Sequence, residues 1–514
     1  MFKIAALSGF LMFLLSFGTA LGTTFYVPDD YPTIQDAINA SLSGDTIIVK
    51  AGTYYENIDF LGKSIVLESE SGPDVTVIDG MQSGSTVTLK SGEDSFAVLD
   101  GFKITNGTGA SHPVNWGGGG IYCSGASPTI KGNVIVDNTS SPPSGWSCGG
   151  GILIAASSAV LEKNLVWSNS AALGGGLFVN DDCPSLEVVD NIFAGNAGGA
   201  HGGAADVSAG TYTNNLFADN HSASGGAVRA SGNKTNFYNC TFYDNSASER
   251  GGAIFSYYGN ESYVQDCIFR NNSAPCGPQI CINMDGGNPQ ARLYIYNSCV
   301  EGGQGGIHVA GNGYLGWGTG NISSDPLFID GPDHPLAPMA NFHNGCYLQQ
   351  DPPNTGKPLS PCVDTGGGAN TLAGTTRTDL VEDSGIRDMG YHYPLPVFML
   401  TVDPMPLVGG SWATFTVVKG QPYTLTALAF SRTGTSPNAF FFQLWNVYLD
   451  LINPVLAGGL SVGIERTNSE GKAEWVLPIP NVPPGGIDIW FQVSQPGSGG
   501  QEGPATNVVE TTID

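Results

Sequence analysis

The side chains best placed to do chemistry in this chain are Asp206 and Arg229, with Phe178 and Phe255 at equivalent positions on either side. Each follows an apolar residue that comes directly after a glycine-rich motif: Ile121, Ile152, Leu177, Ala205, Val228, Ile254 and, further on, Ile307. If those apolar residues point inward on short strands, their neighbours point outward, because successive side chains of a strand alternate. The outward column then reads Tyr122, Leu153, Phe178, Asp206, Arg229, Phe255 and His308, beside a parallel column of Ser124, Ala155, Asn180, Ser208, Ser231 and Tyr257. An acid and a guanidinium on adjacent strands can pair. Aromatic rings flanking such a pair suit a sugar, since rings stack on its apolar face while charges orient its hydroxyls. The alternative is a solvated ion pair that needs no ligand and adds little stability.

That column depends on a repeat. The motif recurs as GGGI from Gly118, GGGI from Gly149, GGGL from Gly174, GGAA from Gly202, GGAV from Gly225 and GGAI from Gly251. A second motif follows each copy, ending at Asn138, Asn169, Asn196, Asn220, Asn245 and Asn272, as in NVIVDN and CTFYDN. A period of about 27 residues is too short for an independent domain, so each unit must stack on its neighbours. Short β-branched runs bounded by Gly, Asn and Ser predict strands, each pairing with its counterpart one coil later at about 4.8 Å. The recurrent asparagine is expected to take a left-handed corner conformation and to bond its amide to the equivalent amides above and below. The paired glycines permit a sharp entry into the next strand. Phe193, Phe217, Phe242 and Phe269 are expected to form an inward stack.

Composition narrows the partners. Lys+Arg number 19 against 45 Asp+Glu, a formal charge of −26 that repels phosphate backbones and argues against nucleic acid. The same charge disfavours polyanionic sugars unless a basic patch or divalent cations intervene. Residues 1–22 read as a secretory signal peptide, with Lys3, an apolar stretch, and Ala20 and Gly22 before a cleavage ahead of Thr23. No comparable apolar run follows, so no membrane span is expected after cleavage. An exported chain with 10 cysteines suggests disulfides, with Cys276 and Cys281 as one expected pair and Cys346 and Cys362 as another. No Cys/His spacing gives a zinc site, and no cofactor is implied.

The GGA(I/L/V) and FxxN alternation resembles the repeats of polymorphic outer-membrane proteins, within the pectin-lyase-like superfamily of right-handed parallel β-helices. Residues Tyr31 to Ile58 are similar to that superfamily's entry segment, whose helix would cap the first coil with Ile34, Ala37 and Ile38. At the other end, DPLFID, CYLQQ, SPCVDTG and GIRDMGYHY resemble a closing segment of bacterial surface proteins. Its Asp364, Asp379 and Asp388 could hold calcium, although they lack a recognised loop spacing. The residues and this resemblance together lead to an expected all-β order: signal peptide 1–22, β-helix with N-terminal capping helix 23–320, terminal coil and closing segment 321–394, and, from its alternating strands and glycine turns, a β-sandwich 395–514. In the last, Trp412, Trp475 and Trp490 are either core or a sugar platform.

Many members of the superfamily act on uronate-rich polymers, but a fold does not carry an activity with it. The aspartate strands of pectin methylesterases are absent, and no cluster of acids stands with a base as in pectate lyases. Asp181 and Asp182 precede Ala200-His201-Gly202 by nearly one coil, a partial match to polygalacturonases that lacks their other acid and their basic motif. The sequence therefore points to a secreted or cell-surface protein offering an elongated surface for adhesion or glycan binding. A polysaccharide-active lyase or glycoside hydrolase is the alternative.

Overall fold

In the computed structural model, the short alternating runs become strands wound into a solenoid, because each run has one apolar face to bury and no hairpin partner in sequence. The structure describes residues 22–393 except 112–115, 142–145, 181–182, 184, 283–288, 330–345, 351–357, 370, 373, 377–382 and 384; beyond residue 398 it describes the backbone of the strands. Among the described residues, each coil contributes strands to three long parallel sheets of ten, twelve and ten strands. One coil illustrates the order: Leu177–Val179 lies in the first sheet, Glu187–Val189 in the second and Ile192–Ala194 in the third. A fourth, seven-stranded sheet, absent from the sequence reading, adds segments such as Ala197–His201 before the chain turns into the next coil.

The core is laddered. Phe193, Phe217, Phe242 and Phe269 are all fully buried and stack at centroid separations of 5.2, 4.8 and 4.7 Å, with planes within 10°. Asn138, Asn169, Asn196, Asn220, Asn245 and Asn272 form the expected amide ladder. In it the Asn220 side chain donates to Asn245 Oδ1 at 3.0 Å and to the Phe193 carbonyl at 2.9 Å. A second ladder runs through Asn133, Asn164, Asn191 and Asn215. Cys240, Cys267 and Ser298 continue it, with the Cys240 N–H on Cys267 Sγ at 3.4 Å and the Cys267 N–H on Ser298 Oγ at 3.1 Å.

One expectation is corrected here. The ladder asparagines do not adopt the left-handed conformation. The residues just before them do: Asp137, Ser168, Gly195, Asp219, Asp244 and Asn271, with φ between 54° and 57°. The corner is turned one residue early, so that the asparagine arrives with its amide aimed inward. The glycine pair behaves as expected. Gly202 has φ +56°, and a Cβ on Gly203 would come 2.2 Å from the Gly226 carbonyl oxygen of the next coil.

At the N-terminal end, helix α1 (Ile34–Ala40) starts on Thr33, whose hydroxyl accepts from the Asp36 N–H at 3.0 Å. It buries Ile34, Ala37 and Ile38 in the core shared with the first coils.

The segment up to Tyr393 packs along the flank of the third sheet as well as on the last coil. Tyr347, Tyr391 and Tyr393 cover Leu165, Ile192 and Leu216. The left-handed corner residues of successive coils supply its polar anchors. Asn214 and the His392 backbone exchange two hydrogen bonds at 2.9 and 2.6 Å, Asn239 donates to the Asp388 carbonyl at 3.1 Å, and Asp266 pairs with Arg387 at 3.1 Å.

The second expected cysteine pair is also corrected. Cys346 packs among the tyrosines, in contact with Tyr393, while Cys362 meets Cys299 in a separate apolar cluster. The two cysteines sit on different stretches of the flank, which keeps them apart. All ten cysteines are unbridged in the structure. Beyond residue 398, strands such as Met399–Asp403, Trp412–Val418 and Ala473–Pro478 pair antiparallel. The side chains there, including Trp412, Trp475 and Trp490, lie outside the described residues, as do the expected signal peptide up to residue 21 and Asp379.

Candidate functional site

The fourth sheet is what turns the outward column into a site. Its strands are built from small residues, as in Ala197–His201 and His221–Ser224, and each ends at the glycine pair. The left-handed glycine folds the next strand back, so the last residue before the pair faces the outward column of the first sheet. The fourth sheet thus presents Cys148, Leu173, His201, Ser224, Arg250 and Cys276 in register. The opposing column runs Tyr122, Leu153, Phe178, Asp206, Arg229, Phe255, Cys281 and His308. The two columns meet along a seam.

The N-terminal part of the seam is apolar, with Cys148 and Leu173 packed on Tyr122, Leu153 and Phe178. Charges enter in the middle. Arg229 Nη1 donates to Asp206 Oδ1 at 2.9 Å and Oδ2 at 3.2 Å, and His201 Nδ1 stands 3.8 Å from Asp206 Oδ2. Beyond them the Arg250 guanidinium lies 6.0 Å from the Phe255 ring centre, and that of Arg229 lies 5.7 Å from the Tyr257 ring centre. Further along, Cys276 and Cys281 face each other with their sulfurs 3.2 Å apart, close but unbridged.

The predicted neighbours are therefore together, and Asp206 does pair with Arg229. Their setting differs from a solvated pair on an open sheet. The Asp206 side chain is 3 % exposed and that of Arg229 19 %. Phe255 is buried beneath Arg250 and stacks on Tyr257 at 5.4 Å, so it offers no free face to a ligand. The overlying fourth sheet causes both differences. The partly exposed groups are His201, Arg229, Arg250, Tyr257 and Phe178. His201 and Arg250 were missed as members of this cluster, although each stands directly before a glycine pair, where the register could have placed them.

Electrostatics follow from burial. Desolvation pushes the Asp206 carboxyl up, and Arg229 pulls it back toward the charged form. Desolvation and the guanidiniums of Arg229 and Arg250 hold His201 down at about 4, so its imidazole is neutral at physiological pH. His201 Nδ1 and Arg229 Nε are buried atoms without a hydrogen-bond partner. Leaving either partner of a buried ion pair alone costs about 3–5 kcal/mol, so Asp206 and Arg229 depend on each other.

The remaining candidates lie elsewhere. Asp181 and Asp182 are outside the described residues. In the closing segment, Asp388 Oδ2 accepts from Gln350 at 2.8 Å and from Thr376 at 2.5 Å, while its Oδ1 accepts from the Asp364 N–H at 2.7 Å. These bonds give Asp388 a structural role within the segment. Among the described residues, no three His, Cys, Asp or Glu side chains gather as a metal centre, and no helix is long and apolar enough to cross a membrane.

Comparison with known proteins gives distant likenesses. A metabotropic glutamate receptor-like protein R of Dictyostelium discoideum is 27% identical over 165 residues, which is 31% of this chain and 8% of that protein's length. The crystal structure of the enzymatically active domain of bacteriophage CBA120 tailspike protein 2 aligns with 11% identity at a TM-score of 0.22, covering 96% of this chain and 71% of that one. The model of the right-handed beta helix region matches residues 65–205 and 200–316. That match and the stacked parallel sheets together make this part of the chain a right-handed parallel β-helix.

Proposed function

We propose that this is an exported β-helix protein that binds a polysaccharide or cell-surface glycan along the seam and does not cleave it. The observation that carries the reading is the cluster of Asp206, Arg229 and His201. A buried carboxylate fixes a guanidinium that is itself partly exposed, with Phe178 partly exposed beside Asp206 and Tyr257 partly exposed beside Arg229. Such a group offers donors for sugar hydroxyls and ring surface for stacking. In the role expected of Phe255, Tyr257 takes its place.

Binding is favoured over cleavage because glycoside hydrolysis ordinarily uses two carboxyl groups. Among the described residues of the facing columns, Asp206 is the one carboxylate, and Arg229 engages both of its oxygens. Export rests on the N-terminal sequence, with a mature chain beginning at or near Thr23. In the same reading α1 caps the first coil and residues 395–514 form a β-sandwich.

Electrophoresis of the purified protein through gels containing a panel of polysaccharides tests the proposal, with parallel assays for reducing ends and for absorbance of unsaturated uronates. At least one polysaccharide should retard the wild type without any product appearing. Phe178→Ala and Tyr257→Ala should each weaken retention by about tenfold, the contribution of one stacked ring, while melting stays nearly unchanged. Failure of every polysaccharide to retard the protein would overturn the proposal. So would product formation that Asp206→Asn abolishes, which would make the seam an active site.

A further inference from the structure

The closing segment brings one cysteine onto the solenoid. Cys299 begins the strand Cys299–Val300 of the third sheet, paired with Ile268 of the preceding coil. Its side chain lies on the flank of that sheet in a buried cluster with Ile268, Leu348, Met389 and Cys362. Cys362 is held in place from both sides: its N–H donates to Ser360 Oγ at 3.2 Å, and its carbonyl accepts from the Met389 N–H at 3.0 Å. The two thiols interact within this cluster, and Cys299 Sγ also reaches the Ser324 carbonyl at 3.1 Å. Both cysteines are 1 % exposed or less. Sulfurs packed together in one cluster need only a short approach and a side-chain rotation to reach bonding distance.

We infer that Cys299 and Cys362 form a disulfide when the chain folds with a small disulfide oxidant such as oxidised glutathione, and that this bond fastens the closing segment to the last coil. The Cys299 thiolate attacks one sulfur of the oxidant, whose S–S bond breaks to release one glutathione thiolate. The Cys362 thiolate then attacks Cys299 Sγ in the mixed disulfide and expels the second glutathione. Two protein thiols thus become one disulfide, one oxidised glutathione becomes two thiols, and these take up the two protons. Once the segment has docked, contact with the Cys299 thiol and burial push the Cys362 thiol up, so exchange belongs to the folding stage. The bond closes the loop from Cys299 to Cys362 and adds a covalent tie to a segment that apolar packing and the polar contacts of Arg387, Asn214 and Asn239 hold against the solenoid.

The full chain should be refolded from urea in a reduced and oxidised glutathione buffer, alkylated, digested without reduction and mapped by mass spectrometry. The expected product is a peptide pair linked through Cys299 and Cys362. Cys346→Ser should keep that link. Cys299→Ser and Cys362→Ser should each abolish it and leave the partner alkylated. Reduction should speed proteolysis within the closing segment of the wild type by about thirtyfold, and that of Cys299→Ser hardly at all. Recovery of both cysteines alkylated from folded wild-type protein, or of Cys362 linked to Cys346, would overturn the inference. The wild-type map decides this without relying on any variant to fold.

Discussion

At the residue scale, the neutral imidazole of His201 gives the seam a measurable pH dependence. Burial and two guanidiniums hold it at about 4, against about 6.5 for an ordinary histidine. The unfolded chain therefore takes up a proton that the folded one resists. The stability conferred by the neutral ring is present above about pH 6.5 and is lost as the pH falls from there toward 4. The side chain is 34 % exposed, so after solvent screening the effect is about 1–2 kcal/mol. Asp206, raised by burial, acts in the opposite sense, gaining stability as it is protonated on acidification. Urea unfolding of wild type and His201→Gln at about pH 7 and about pH 4.5 separates the two. The wild type should lose about 1–2 kcal/mol more than the variant, whereas equal losses would contradict the assignment. The pairing of Asp206 with Arg229 was legible because glycine spacing sets the register. Their burial was not, because it depends on a sheet whose Ser, Ala and Gly residues show no apolar alternation.

At the element scale, the phenylalanine stack and the asparagine ladder hold successive coils in one register. Both were readable from FxxN, since a fixed three-residue interval between an inward ring and a corner amide recurs at Phe193, Phe217, Phe242 and Phe269. The left-handed corner was misplaced by one position because its residue type varies among Asp, Ser, Gly and Asn. Cys240 and Cys267 continue a ladder of asparagines by a different chemistry, which no repeated residue type could announce. Phe242 stacks between Phe217 and Phe269. Phe242→Asp would remove a ring worth about 3–5 kcal/mol and bury an unpaired carboxylate in its place. Circular dichroism and the yield of folded protein should both collapse. A variant with native spectrum and unchanged melting would show that the stack does not support the coils.

At the scale of the whole molecule, function is confined by what the solenoid leaves exposed. The coils bury their apolar faces inward, the closing segment covers a flank of the third sheet, and the fourth sheet lies against part of the first. Within a chain of net charge −26, the seam holds Arg229 on a buried carboxylate and Arg250 over Phe255. The fold was legible because the repeat is regular. The function was less so, since the seam depends on side chains that change from coil to coil. The most direct measurement is calorimetric titration of the wild type and Arg229→Gln with the polysaccharide that retards the protein, with reducing ends assayed in the same samples. The wild type should give a saturable heat and no new ends, and Arg229→Gln should give little heat. Release of ends by the wild type, or an unchanged isotherm for a folded Arg229→Gln, would contradict the account.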